Sequence, residues 1–198
     1  MTSVTVVDYG AGNLRSLRAA LERLDVDVEV TTRPGDVERA AIVVVPGVGA
    51  AGPAMERLET AGLAAAIRAA AERGANILGI CLGLQLLFER SEEGDTRCLG
   101  LLPGAVRRID WAETVPHMGW NDVTPAMQSD LFEQASRFYF LHSFYFECAD
   151  QQHIAAVTRY GIDFASAVHR DNIYGVQFHP EKSQDTGLRL LRNFARLN

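Results

Sequence analysis

Apolar and polar positions alternate with two different periods along the first half of the chain. Residues 4–7 form a short β-branched run that ends before Gly10, which predicts a strand. Leu14, Leu17, Leu21 and Leu24 then recur on one helical face and predict a helix over 14–24. Residues 26–31 alternate valine with acid, as a second strand does. Residues 41–45 are continuously apolar and stop at Pro46-Gly47, the pattern of a strand buried on both faces. Helical spacing returns over 53–73 with an interruption near Gly62. A strand is predicted over 75–80 and a helix over 82–90. Past residue 100 the rhythm changes. Residues 105–109, 119–123, 137–141, 154–159, 164–169 and 173–178 read as strands joined by short turns, one of them Gly161-Ile162-Asp163. Residues 185–197 close as a helix, with Leu188, Leu191 and Phe194 spaced by three.

This order predicts the α/β class: a mostly parallel central sheet flanked by helices, with added antiparallel strands. There is no internal repeat, low-complexity tract or linker, and 198 residues suit one core better than two.

Composition removes several functions. The net charge is -6 and Lys and Arg are scattered, so a nucleic-acid partner is not expected. No apolar run nears the roughly 20 residues of a bilayer span. The opening Met1-Thr2-Ser3-Val4 has no basic region. No membrane association and a cytoplasmic location are expected. Three cysteines, Cys81, Cys98 and Cys148, have no paired spacing, which argues against a disulfide scaffold and suits a reducing compartment. The histidines lack metal-site spacing, so neither metal nor cofactor is expected.

Two segments carry chemistry. Gly79-Ile80-Cys81-Leu82-Gly83 reads as a nucleophile elbow, a tight turn from a buried strand into a helix. At a helix N-terminus the backbone N–H groups and the macrodipole favour an anionic sulfur. The Leu82 N–H would point to where an oxyanion forms. Downstream, His179-Pro180-Glu181 offers a base and a carboxylate to orient it. If the chain stays extended through Pro180, residues 179 and 181 face the same side. Pro46-Gly47-Val48-Gly49 follows a buried strand and could add a second oxyanion N–H. Asp8-Tyr9-Gly10-Ala11-Gly12-Asn13 fails as a dinucleotide loop, because Arg15 stands where the third glycine belongs. Cys98 and Cys148 lack an elbow, and His117, His153 and His169 lack a neighbouring acid. A thiol hydrolase, such as a cysteine peptidase, and a binding module without chemistry both remain open at this point.

The triad segments resemble the class I (triad) glutamine amidotransferases. The stretches Asp8-Tyr9-Gly10-Ala11-Gly12-Asn13-Leu14, Pro46-Gly47-Val48-Gly49, Pro116-His117-Met118-Gly119-Trp120-Asn121, His142-Ser143-Phe144-Tyr145 and His179-Pro180-Glu181-Lys182-Ser183 resemble, within that class, the glutaminase subunits of imidazole glycerol phosphate synthase. The likeness implies one glutamine amidotransferase type-1 domain over 1–198 with a flavodoxin-like fold. It implies that Cys81 forms a glutamyl thioester, that His179 moves the proton and that Glu181 orients it. Val48 and Leu82 would supply oxyanion N–H groups. Gln85, His142, Ser143 and Gly49 would hold glutamine. Ammonia would pass to a (β/α)₈-barrel cyclase subunit, for histidine biosynthesis, across a heterodimer interface that includes Asn13, Trp120, Tyr139 and Lys182. The likeness also implies little activity until the cyclase is loaded, with the Gly47-Val48 peptide as the hinge. One departure is Ala51, where the family usually has an aromatic residue.

Overall fold

The computed structural model describes residues 2–132 and 134–197. The first half runs β1 (Ser3–Val7), α1 (Leu14–Glu22), β2 (Asp27–Thr31), α2 (Pro34–Arg39), β3 (Ile42–Val45), α3 (Ala51–Thr60), α4 (Leu63–Glu72), β4 (Asn76–Ile80) and α5 (Leu82–Leu87). The second half adds β5 (Arg90–Ser91), β6 (Thr96–Arg97), β7 (Gly104–Arg108), β8 (His117–Pro125), β9 (Ser136–His142), β10 (Phe144–Cys148), β11 (Ile154–Tyr160), β12 (Ile162–Arg170), β13 (Ile173–Val176) and α6 (Gln184–Ala195).

Among the described residues one sheet has the order β2-β1-β3-β4-β13-β12-β11-β8-β9. It is parallel from β2 to β13 and antiparallel from there to β9. A smaller sheet, β10-β7-β5-β6, packs beside it. Alternation along the parallel strands feeds two apolar layers. Val43 and Val45 of β3 and Ile77 of β4 join α3, α4 and α5 on one face. Ile42, Val44, Leu78 and Ile80 join α1 and α6 on the other. Two buried faces explain why these strands read as unbroken apolar runs. Gly62, at φ 72, ends α3 and opens α4, so the interruption read from the sequence is a left-handed glycine.

Several expectations give way. The helix over 82–90 stops at Leu87: Phe88 is extended and buried, stacked on Phe146 of β10 at 5.1 Å, and Arg90–Ser91 pair with β6 and β7. Tertiary burial of one aromatic ring overrides helical spacing there. The turn at Gly161-Ile162-Asp163 shrinks to Gly161 alone, since Ile162 and Asp163 already pair with Tyr160 and Arg159. The strand over 173–178 stops at Val176. Helix α2 was hidden by Pro34-Gly35, which reads as a turn. Pro34 instead sits in the first helical turn, where a missing N–H costs little.

The elbow packs against β3 without room to spare. A Cβ on Gly83 would overlap the carbonyl oxygen of Val45, which is backbone and cannot rotate away. Gly74 has φ 92 but open space around it. Gly83→Ala is therefore expected to cost about 3 kcal/mol or more through overpacking, and Gly74→Ala only about 1–2 kcal/mol through its torsion. Urea unfolding of the two variants measures the contrast, and equal losses would contradict the packing of the elbow on β3.

Candidate active site

The register of β4 and β13 decides where the reactive groups go. Gly79 pairs with Gly175 and Ile80 with Val176, and the Cys81 N–H donates to the Val176 carbonyl at 2.8 Å. Both chains thus leave the sheet abreast at its carboxyl edge, where open α/β sheets bind ligands. Cys81 has φ 54 and ψ -112, a region that side chains with a Cβ avoid. The strain accompanies an immediate reversal from strand into α5. The Cys81 side chain is 6% exposed, with Sγ 3.8 Å from the Leu141 carbonyl and 3.7 Å from Gln177 Nε2. Helix α5 has only six residues, so its macrodipole is smaller than a helix over 82–90 would give. The free N–H groups of its first turn remain.

His179 is fixed by its backbone. Its N–H donates to the Tyr139 carbonyl at 2.8 Å, and its own carbonyl accepts from Ser183 Oγ at 2.6 Å. The extended path through Pro180 does not hold: Pro180–Lys182 is a 3-10 turn. Glu181 still reaches the ring, with Oε1 2.9 Å from Nδ1, because the turn folds residue 181 back toward residue 179. Both side chains are buried. With Nδ1 on Glu181, Nε2 is the ring nitrogen left for Cys81. Burial disfavours the imidazolium, but hydrogen bonds and charge from Cys81 and Glu181 outweigh it and raise the His179 pKa to about 10.

Cys81 and His179 line a cleft of about 300 Å³ together with Val48, Gly49, Leu82, Gln85, His142 and Ser143. Glu181 lies behind His179, in a small cavity shared with Asn13, Pro46, Gly47 and Val48. Asn13 also caps α1, accepting from the Ser16 N–H. Trp120, Tyr139 and Lys182 sit together outside: the two rings meet edge to face at 6.2 Å, and Lys182 Nζ lies 5.8 Å from the Tyr139 ring centre. Hollows of about 650 and 890 Å³ elsewhere bring no thiol and imidazole together.

Polar contacts inside the site reach beyond the residues singled out from the sequence. Gln85 Nε2 donates to the Phe144 carbonyl at 3.0 Å and to Gln177 Oε1 at 3.1 Å. His142 spends its ring on structure. Nδ1 faces the Phe144 carbonyl at 2.8 Å and so carries hydrogen, which leaves Nε2 to accept from His117 Nδ1 at 2.9 Å. His117 Nε2 in turn accepts from Asn121 Nδ2 at 3.1 Å. Burial pushes the two imidazoles down, His117 to about 4 and His142 to about 3. Gln177 and Glu93 escaped the sequence reading, and His117, set aside there for want of a neighbouring acid, serves as a hydrogen-bonding support for His142. Gln177 had a signal, a polar residue inside an apolar strand end. Glu93, the one carboxylate lining the cleft among the described residues, hides in the acidic run Glu92-Glu93-Gly94-Asp95. Its Oε2 accepts from the Ala51 N–H at 2.8 Å, at the position where the resemblance implies an aromatic residue.

The family described as Glutamine amidotransferase class-I matches residues 5–197. The Imidazole glycerol phosphate synthase subunit HisH of Moorella thermoacetica is 49% identical over 100% of this chain and 96% of its own. The protein of the same name from Nitrosomonas europaea is 47% identical over 98% of each. The chain belongs to the class-I glutamine amidotransferases of the HisH kind. Solved structures agree on the fold. A structure titled glutamine amidotransferase has TM-score 0.79 at 20% identity, covering 98% of this chain and 99% of its own. That of PurLQS from Thermotoga maritima has TM-score 0.78 at 21% identity, covering 97% and 96%.

The buried imidazoles give this amidotransferase an acid sensitivity. In the unfolded chain a histidine titrates near 6.5. In the fold, His117 and His142 stay neutral to about 4 and about 3. Between those values the unfolded chain binds more protons, so stability falls as pH drops below about 6.5, by up to about 1.4 kcal/mol per pH unit for each ring. Above that pH the pair adds no dependence. His117→Phe, which fills the same aromatic stack without titrating, is expected to flatten the fall in melting midpoint between about pH 6 and 4. An unchanged slope would rule His117 out as a source.

Proposed function

We propose that Cys81, His179 and Glu181 are the triad of a glutaminase that supplies ammonia to imidazole glycerol phosphate synthase. The observation that carries the reading is the buried His179–Glu181 contact of 2.9 Å beside Cys81, at the head of the cleft. The cysteine thiolate attacks the side-chain amide carbon of glutamine. The backbone N–H groups of Val48 and Leu82 receive the oxyanion. Val48 is 41% exposed at the cleft mouth, and Gly47 before it is the hinge about which its peptide would turn. The His179 imidazolium gives its proton to the departing nitrogen, releasing ammonia and leaving a glutamyl thioester. Water then loses a proton to His179 and splits the thioester to glutamate and the free cysteine. Gln85, Gly49 and the His142-Ser143 turn shape the amide end of the cleft. Glu93 suits the ammonium group of the amino acid by charge.

Ammonia leaves toward a (β/α)₈-barrel cyclase, the partner that completes a lyase heterodimer for histidine biosynthesis in the cytoplasm. Two features of the exterior support this partner. Met118, Trp120 and Leu141 are 66%, 41% and 37% exposed, an unusual amount of large apolar surface on paired strands. Tyr139, in the same patch, also receives the His179 N–H, so pressure on that face is felt at the base. Asn13 and Lys182 complete the interface, and the whole span 1–198 works as one amidotransferase domain.

Cys81→Ala is expected to lower ammonia release from glutamine by more than about a thousandfold while still co-purifying with the cyclase. Retained hydrolysis would end the proposal. Trp120→Ala is expected to weaken cyclase association by about tenfold or more, as a buried aromatic anchor does, and titration by calorimetry measures it. An unchanged affinity would move the interface elsewhere.

A further inference from the structure

Gln177 is a polar side chain set between two apolar residues of a strand end. Val176 and Phe178 on either side enter the layer of α1 and α6. Gln177 between them points the other way, toward α5, and is 0% exposed. A buried primary amide is costly unless its groups find partners. Both ends of this one do. Oε1 accepts from Gln85 Nε2 at 3.1 Å, and Nε2 donates toward Cys81 Sγ at 3.7 Å. Its backbone N–H is held by the Ser166 carbonyl at 2.9 Å, so the side chain grows from an anchored point.

The surroundings of the sulfur sharpen the argument. The Leu141 carbonyl, 3.8 Å away, can accept from a thiol but repels a thiolate. An amide N–H does the opposite, because its positive end attracts the anion. Gln177 is thus matched to the charged sulfur that attacks. Its other end occupies Gln85, whose second contact, the Phe144 carbonyl, lies on the wall of the cleft.

We propose that Gln177 serves the reaction from both ends of its amide: the N–H holds the Cys81 sulfur in its attacking orientation, and the carbonyl aims Gln85 at the glutamine site. The inference rests on Cys81 as nucleophile, and Cys81→Ala tests that reading separately. Two Gln177 variants divide the two contacts. Gln177→Glu, when ionised, keeps an acceptor for Gln85 and has no hydrogen to give the sulfur. Gln177→Met keeps the volume and loses both.

Iodoacetamide alkylation of Cys81 at neutral pH reads the sulfur, and glutaminase kinetics with the cyclase present read both ends. In Gln177→Glu, alkylation and kcat are each expected to fall about tenfold or more, with KM within about threefold of wild type. In Gln177→Met, kcat is expected to fall likewise and KM to rise about tenfold. Circular dichroism confirms folding, and if the methionine variant does not fold, the isosteric glutamate variant decides alone. Wild-type alkylation in a folded variant would overturn the proposal. So would a rise in KM without loss of kcat in Gln177→Glu.

Discussion

One hydrogen bond, from the Cys81 N–H to the Val176 carbonyl, sets the terms for the rest of the molecule. It is the last rung of the parallel ladder between β4 and β13. Those strands lie almost 100 positions apart in the chain. Parallel pairing makes them end at the same height, so Cys81 and His179 emerge as neighbours without any loop having to carry them together. Everything added after β10 serves that pairing. Strands β11 and β12 bring the chain back antiparallel, so that β13 can enter beside β4 in the direction the site needs.

The site is wrapped in buried polar side chains where an apolar lining would have been simpler. Gln177 and Gln85 lead from the sulfur to the Phe144 carbonyl, which also accepts from His142, and His142, His117 and Asn121 continue the hydrogen bonds to the β8 surface. Such a run has few alternative arrangements, because His117 and His142 each use one ring nitrogen to donate and the other to accept, and both Gln177 amide ends are engaged. Apolar side chains could fill the same volume while leaving the cleft wall free to repack. The neutral histidines belong to this scheme: a depressed pKa keeps one lone pair available on each ring to receive the neighbour's hydrogen.

Much of this was written plainly in the chain. The parallel strands declared themselves because two buried faces demand unbroken apolar runs, as at residues 42–45. The elbow was legible because Gly79 and Gly83 bracket Cys81 where the backbone comes too close to α5 and β3 for a Cβ. What stayed hidden was set by distant contacts. Phe88 leaves the helix for the sake of Phe146, far along the chain. The 3-10 turn at Pro180–Lys182 looked extended, because proline next to histidine favours extension locally. Gln177 was passed over because a motif reading stops at the triad, and the partner of a buried amide is invisible until the strands are ordered.

The backbone of Cys81 carries one more implication. Its φ of 54 is comfortable only for glycine, and the surrounding ladder holds it there. Evolution has thus placed a side chain where the fold itself would prefer none. Durability and turnover oppose each other at this single torsion. Replacing Cys81 by glycine would release that torsion and remove the thiol together, so the strain and the sulfur are inseparable at this position.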